Sequence, residues 1–327
     1  MTSASLSLAA PFDDGGWIRR LEPILAAGRA AGADLVEVFL ERTDSLGLLA
    51  EQEAITSVTP SFGMGAGLRV FRNGRDGFVS TNDLSEAALI AALDQALAML
   101  ELRRSSLAVP REWDGMPALR DFAAGKTLWL ECCPDLGEAT QRLLEGTRQL
   151  QQHGSHLQAR RGSYSRSWQE VLVVASDGTH ARDIRLHQTV GLTVLAADGD
   201  HRASLSRRFG TTDDPDDLRR WDVEASAIDL CSSAATMLYA DYVEAGQYPV
   251  VLANRFGGVI FHEACGHLLE TTQVERGTTP FADKVGELIA HPAVTAIDEG
   301  LSNTAFGSLA MDDEGMEPQR KIGRAHV

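Results

Sequence analysis

The residues best suited to chemistry stand together in Phe261-His262-Glu263-Ala264-Cys265-Gly266-His267-Leu268-Leu269-Glu270. Two histidines and a glutamate follow the order His-Glu-x-x-x-His inside an otherwise apolar, small-residue run. Neutral imidazoles are common zinc ligands, and a glutamate beside one of them can polarise a water held by the metal. The pattern points to hydrolysis at a zinc ion (Zn2+), with His262 and His267 as ligands and Glu263 as general base. Glu270 follows His267 at a spacing that lets it approach the metal or fix a histidine from behind.

The spacing constrains this reading. The familiar zinc-protease motif sets its histidines four apart, about 40° off alignment on an ideal helix. Here they are five apart, which leaves roughly 140° between them around a straight α-helix. Side chains so placed cannot easily meet one ion at about 2.0–2.1 Å. A π-type turn, or a helix distorted at Gly266, would bring them together. The sequence therefore predicts a deformed helix or no metal site, in which case the two histidines merely close a buried helix.

The segment needs rigid support. Val250, Val251 and Leu252 read as a buried strand and Asn254-Arg255-Phe256-Gly257-Gly258 as the turn into the helix. Upstream, Asp13 or Asp14 caps a helix over 15–31 that stops at Gly32 and contains Pro23. Strands follow at 35–41, 46–51, 54–59, 65–72 and 76–81, the last two joined as a hairpin through Asn73-Gly74-Arg75. Asn82 or Asp83 caps a helix running to Leu100. After an irregular stretch over 107–127 come a helix at 135–153, four strands between 157 and 209 and a helix at 222–240. Short strands are expected at 294–297 and 308–311, with 271–281 as a loop. The acidic run Asp213–Asp217 reads as a solvated turn. The fold class is α+β, multi-domain, with mixed or antiparallel sheets and flanking helices. The division is 1–106 for an N-terminal domain, 107–245 for a central one and 246–321 for the start of a β-rich metal-site domain that stays incomplete.

His262-Glu263-Ala264-Cys265-Gly266-His267-Leu268-Leu269-Glu270 also resembles the HEAxGHxLE signature of the TldD half of the TldD/PmbA (TldE) metalloproteases, once called modulators of DNA gyrase. Tyr248–Leu252, Gly286–Ala290 and Met311-Asp312-Asp313-Glu314-Gly315 fit the same family. Weaker similarity covers Gly65-Ala66-Gly67-Leu68-Arg69-Val70 and Ala175-Ser176-Asp177-Gly178-Thr179. The resemblance implies a zinc peptidase acting on unfolded or modified peptides, including peptide-antibiotic precursors and labile antitoxins. These would bind extended in a channel between this chain and a PmbA/TldE-like subunit in a heterodimer. It also implies a third zinc ligand, a cysteine beyond the chain end. Cys265 reads as a small packed hydrophobe, and Asp312, Asp313 and Glu314 are remoter ligand candidates. A non-catalytic partner subunit of the same fold, or an inactive fragment lacking the third ligand, are the competing readings.

Composition narrows the classes. The 327 residues carry a net charge of −16, which opposes nucleic-acid binding despite the family's older name. Four cysteines form no CxxC pair and no disulfide-dense pattern. The N-terminus lacks the basic start of a signal peptide, no segment is long enough to span a bilayer, and the cytoplasm is the expected location. The tail Ile322-Gly323-Arg324-Ala325-His326-Val327 matches the translation of a sequencing-library adapter. Residues 322–327 are accordingly expected to be an artefact, and the 327-residue chain to have little activity alone.

Overall fold

The computed structural model describes residues 12, 15–107, 115–124, 126, 132–214, 216–253, 257–284, 286–300, 306–319 and 321–323. The fold is α+β. It divides into one compact unit, Met1–Ala240 with Ser302–Pro318, and a second, Asp241–Leu301 with Gln319–Val327.

The first unit is built on long antiparallel strands. β1 (Leu35–Glu51) pairs with β2 (Ala54–Arg72) along its whole length, and β3 (Arg75–Thr81) closes on β2. Each of the first two merges a pair of separately expected strands. Pro60, which can donate no ladder hydrogen bond, lies opposite Leu46 on β2. It lies outside the part of β2 that pairs with β3, so its missing N–H falls on a free edge. At the tip of the β2–β3 hairpin, Asn73 and Gly74 both adopt positive φ, 50° and 71°, as a two-residue turn matching the strand twist requires. β5 (Leu157–Ala175) likewise merges two expected strands, and β6 (His180–Asp198) and β7 (His201–Thr212) follow through tight turns. β4 (Arg120–Asp121) adds a short parallel edge to β6 within the expected irregular stretch.

The seven strands form one sheet, ordered β3-β2-β1-β5-β6-β4 with β7 also on β6. The N-terminal and central strand sets meet where β1 lies antiparallel to β5. Side chains alternate across this sheet. On one face of β1, Val36, Val38 and Leu40 pack with α1 (Gly15–Ala30) and α2 (Glu86–Met99), whose Leu25, Leu93 and Leu97 are fully buried. Further along the same face, Leu48 and Ala50 pack with α3 (Leu136–His153) and α5 (Val223–Leu238), the latter preceded by the single turn α4 (Asp217–Arg220). The caps are local: Ser85 Oγ accepts from Ala88 N, Asp135 from Glu138 N at 2.7 Å and Asp222 from Ala225 N at 2.9 Å. Ser85, and not Asn82 or Asp83, therefore starts α2. Asp83 instead holds Ser85 N. Asp13 and Asp14 lie outside the described residues.

Between the two helical layers sits a buried charge. Glu170, opposite Arg42 in the β1–β5 register, accepts from Arg42 at 2.7 Å, from Arg182 Nε at 2.8 Å and from Phe12 N at 3.1 Å. The Arg42 guanidinium lies 5.0 Å over the Trp168 ring.

On the opposite face, the returning segment 306–318 docks on β5 and β6. Met311 is fully buried against Val171, Val173 and Ala181, and Arg185 binds Asp313 at 2.8 Å and the Met311 carbonyl at 3.1 Å. Gly315 has a φ of +75°, and a Cβ there would fall 2.8 Å from Thr179 Cγ2, so the turn admits only glycine. The expected strand at 308–311 is thus an irregular segment, half-buried until Met311 enters the core. Nor is the acidic run a solvated turn throughout: Asp213 takes Lys126 at 2.8 Å and Leu186 N at 3.0 Å, and Lys126 also binds buried Asp183 at 2.9 Å.

In the second unit the expected buried strand at 250–252 is not formed. Val250 and Val251 are 73% and 96% exposed, and no strand pairs with them among the described residues. β8 (Ala296–Asp298) pairs with β9 (Lys321–Gly323), and α7 (Thr271–Glu275) occupies part of the expected 271–281 loop. Residues 324–327 lie outside the described residues. Among the described residues no helix is long and apolar enough to cross a membrane.

Replacing Glu170 with Ala removes the carboxylate shared by two guanidiniums whose side chains are only 5% and 3% exposed. The expected loss is about 3–5 kcal/mol of unfolding free energy, read by urea denaturation, with a smaller loss for Glu170→Gln.

Candidate metal centre

The helix carrying the histidines begins as α6 (Gly257–Phe261), loosens into a π-helical turn over His262–Gly266 and tightens into a 3-10 turn over His267–Leu269. His267 N donates to His262 O, the i+5 to i bond that defines a π turn. One added residue in the turn brings His267 back over His262, and the rings meet edge to face at 4.4 Å between centroids. The deformation demanded by the five-residue spacing is therefore present. Gly266 is not its steric cause. Its backbone is ordinary right-handed helix, and an added Cβ would meet only His262 Nδ1 at 3.7 Å and Phe261 O at 4.0 Å.

Glu263 Oε2 stands 3.8 Å from His267 Nε2. On the other side of the ring, Glu270 Oε1 holds His267 Nδ1 at 2.6 Å. That bond, reinforced by the charges of Glu270 and Glu263, raises the imidazole pKa above its ordinary value. It also commits Nδ1 and leaves Nε2 facing Glu263. One donor atom from each of His262, Glu263 and His267 lies within 4.8 Å of the others, and all three residues are exposed. Among the described residues this is the only such trio of His, Cys, Asp or Glu.

Two imidazoles and a carboxylate are a donor set that zinc accepts, so the residues present suit a divalent metal. Half-buried Cys265 stands outside the trio, and no other cysteine joins it among the described residues. Asp312 and Asp313 are engaged elsewhere. Asp312 Oδ1 accepts from Glu314 N and Met316 N, and Asp313 pairs with Arg185.

This chain matches three domains of one family: PmbA/TldA metallopeptidase domain 1 over residues 36–100, the central domain over 132–238 and the C-terminal domain over 245–322. It is 26% identical over 295 residues to a Haemophilus influenzae protein named metalloprotease TldD homolog, covering 88% of this chain and 60% of that one. A metalloprotease of Methanocaldococcus jannaschii is 23% identical over 317 residues, covering 93% of this chain and 66% of that one. The chain thus spans under two thirds of the length of these relatives. Among solved structures, a Thermotoga maritima protein described as a modulator of a DNA gyrase superposes with a TM-score of 0.71 at 15% identity, covering 95% of this chain and 69% of that one. TldE from Thermococcus kodakarensis gives 0.67 at 18% identity, covering 93% and 67%. The structures establish the fold. The three matched domains are those of one metallopeptidase family. The chain belongs to the PmbA/TldD metallopeptidases.

Glu270→Gln removes the first cause of the raised His267 pKa, so in metal-free protein the ring should titrate at lower pH than in the parent. A histidine NMR titration checks this; an unchanged midpoint would deny Glu270 its hold on the ring.

Proposed function

We propose that this protein is the TldD-type subunit of a zinc-dependent peptidase that hydrolyses unfolded or modified peptides. The observation that carries the reading is the π turn, which sets His262 and His267 face to edge with Glu263 alongside. His262 and His267 hold the ion, joined by a third protein ligand, a cysteine outside these 327 residues. A zinc ion held there would supply a Lewis acid for the peptide carbonyl and would lower the pKa of water to about 7.

Glu263 accepts a proton from the attacking water and returns it to the leaving amine nitrogen. Its exposed carboxylate is free for this work, with only a 3.8 Å approach to His267. Glu270 fixes the His267 tautomer by occupying Nδ1, so that Nε2 is the nitrogen offered to the ion. The assembly is a heterodimer with a PmbA/TldE-like subunit. The likeness of the fold to TldE supports two subunits of one architecture. The intact ligand pair favours the catalytic over the non-catalytic role for this chain.

Glu263→Ala should lower peptide hydrolysis by the TldD–TldE-type complex by on the order of 10²–10⁴-fold while zinc content, read by mass spectrometry, stays unchanged. His262→Ala should lose the zinc itself. Full activity in Glu263→Ala would end the general-base assignment.

A further inference from the structure

The stretch 306–318 returns the chain to the first unit and is held there at a few points. Met311 enters the core, and Arg185 and Arg120 donate to the carbonyls of Met311 and Gly315. Asp312 closes the turn by accepting from Glu314 N at 2.9 Å and Met316 N at 2.8 Å. Upstream, Gly307 N donates to Thr212 Oγ1 and Phe306 meets the His187 ring edge to face. The turn presents Asp312, Asp313 and Glu314 together. Asp313 and Glu314 form part of the wall of a cleft of about 670 Å³ that opens over β1, β2 and β3.

Glu37 of β1 is half-buried in this cleft, opposite Arg69 on β2 and Ala175 on β5. The charges facing it are unbalanced. Glu314 and Asp312 oppose it from the returning turn and Asp177 from the turn after β5, while Arg69 attracts it. Arg69 is shared, because its Nε also holds Asp76 at 3.0 Å. Of the other acids on this face, Glu41 accepts from Gln169 at 2.8 Å and Asp313 is matched by Arg185 at 2.8 Å. Among the described residues no hydrogen bond reaches the Glu37 carboxyl. Burial, then the charge of Glu314, push it up to about 7 in spite of Arg69.

Both leading causes run through the returning turn, which helps to shield Glu37 from water and carries Glu314. Lifting the turn would hydrate the carboxyl and remove two of the opposing charges, so that the group falls back toward its ordinary 4.5. Protonated Glu37 thus favours the seated turn and ionised Glu37 the lifted one. We propose that 306–318 is a pH-sensitive strap, seated on β5 and β6 while Glu37 is protonated and loosened as Glu37 ionises beside Asp312 and Glu314. None of these groups belongs to the His262–His267 turn, so the device stands apart from the metal reading.

The stabilisation that protonated Glu37 gives the seated strap is complete below the ordinary 4.5 and is lost as pH rises through about 7. His187 works in the opposite sense. Burial holds its pKa below the usual 6.5, and charging it on the acid side opposes the seating of Phe306 against its ring.

Hydrogen exchange of the metal-free 327-residue chain, read by mass spectrometry, tests the strap. Parent and Glu37→Gln are compared at the same pH, which cancels the intrinsic exchange rates and the contribution of His187. Amides from Asp312 to Met316 should exchange faster in the parent, by a ratio that grows roughly tenfold between pH 6 and pH 8. Glu314→Gln, a change at an exposed side chain, should slow the same amides at pH 8 by a smaller factor, and it tests the strap should Glu37→Gln disturb β1. A parent-to-variant ratio that stays constant with pH, or strap amides as fast in both variants as in the parent at pH 8, would overturn the proposal.

Discussion

One backbone hydrogen bond, from His267 N to His262 O, decides whether the two imidazoles of this chain can address the same ion. In a continuous α-helix they would stand roughly 140° apart. The π turn removes that angle by taking up one residue, and the 3-10 turn after it returns the chain to a tighter winding. With the rings brought edge to face, the neighbouring carboxylates acquire distinct positions. Glu263 faces His267 Nε2 and Glu270 occupies Nδ1. The same helix wound without the bulge would still set Glu263 and Glu270 beside His267, at i,i+4 and i,i+3, but would carry His262 away to another face.

The first unit depends on a different kind of constraint. Its sheet buries two helical layers on one face, and the strip between them carries Arg42, Glu170 and Arg182 out of contact with water. Desolvating three charges is costly, and their mutual hydrogen bonds, the Phe12 N–H donated to Glu170, the Asp121 carboxylate on Arg182 and the Trp168 ring help to offset it. The opposite face is covered where Met311 and the Gly315 turn press on β5 and β6. Elsewhere it is left open as the cleft over β1 and β2. The stretch 241–301, which carries His262 and His267, is an insertion in sequence between two parts of this unit.

Much of this was legible in the residues. The strands at 35–41 and 65–72, the Asn73-Gly74 hairpin and the helices beginning at Asp135 and Asp222 were all expected, because each is decided by local chemistry. The need for a bulge at His262–His267 followed from angle alone. Other features depended on partners far along the chain. Nothing near Glu170 tells that Arg42 and Arg182 will enclose it. Nothing near Asp213 tells that Lys126 and Leu186 N will claim it, so an acidic run looked like a solvated turn. Val250–Leu252 has strand composition but no partner among the described residues, and composition cannot supply one. The cleft around Glu37 was invisible for the same reason, since its walls come from residues as distant as 37, 67, 78 and 314.

The central claim is that one ion is shared by both histidines of the π turn. X-ray absorption of the zinc-loaded protein counts imidazoles around the metal directly. Two histidine ligands, falling to one in either His262→Ala or His267→Ala, are the predicted result. A zinc shell containing no histidine, or one unchanged by both substitutions, would contradict it.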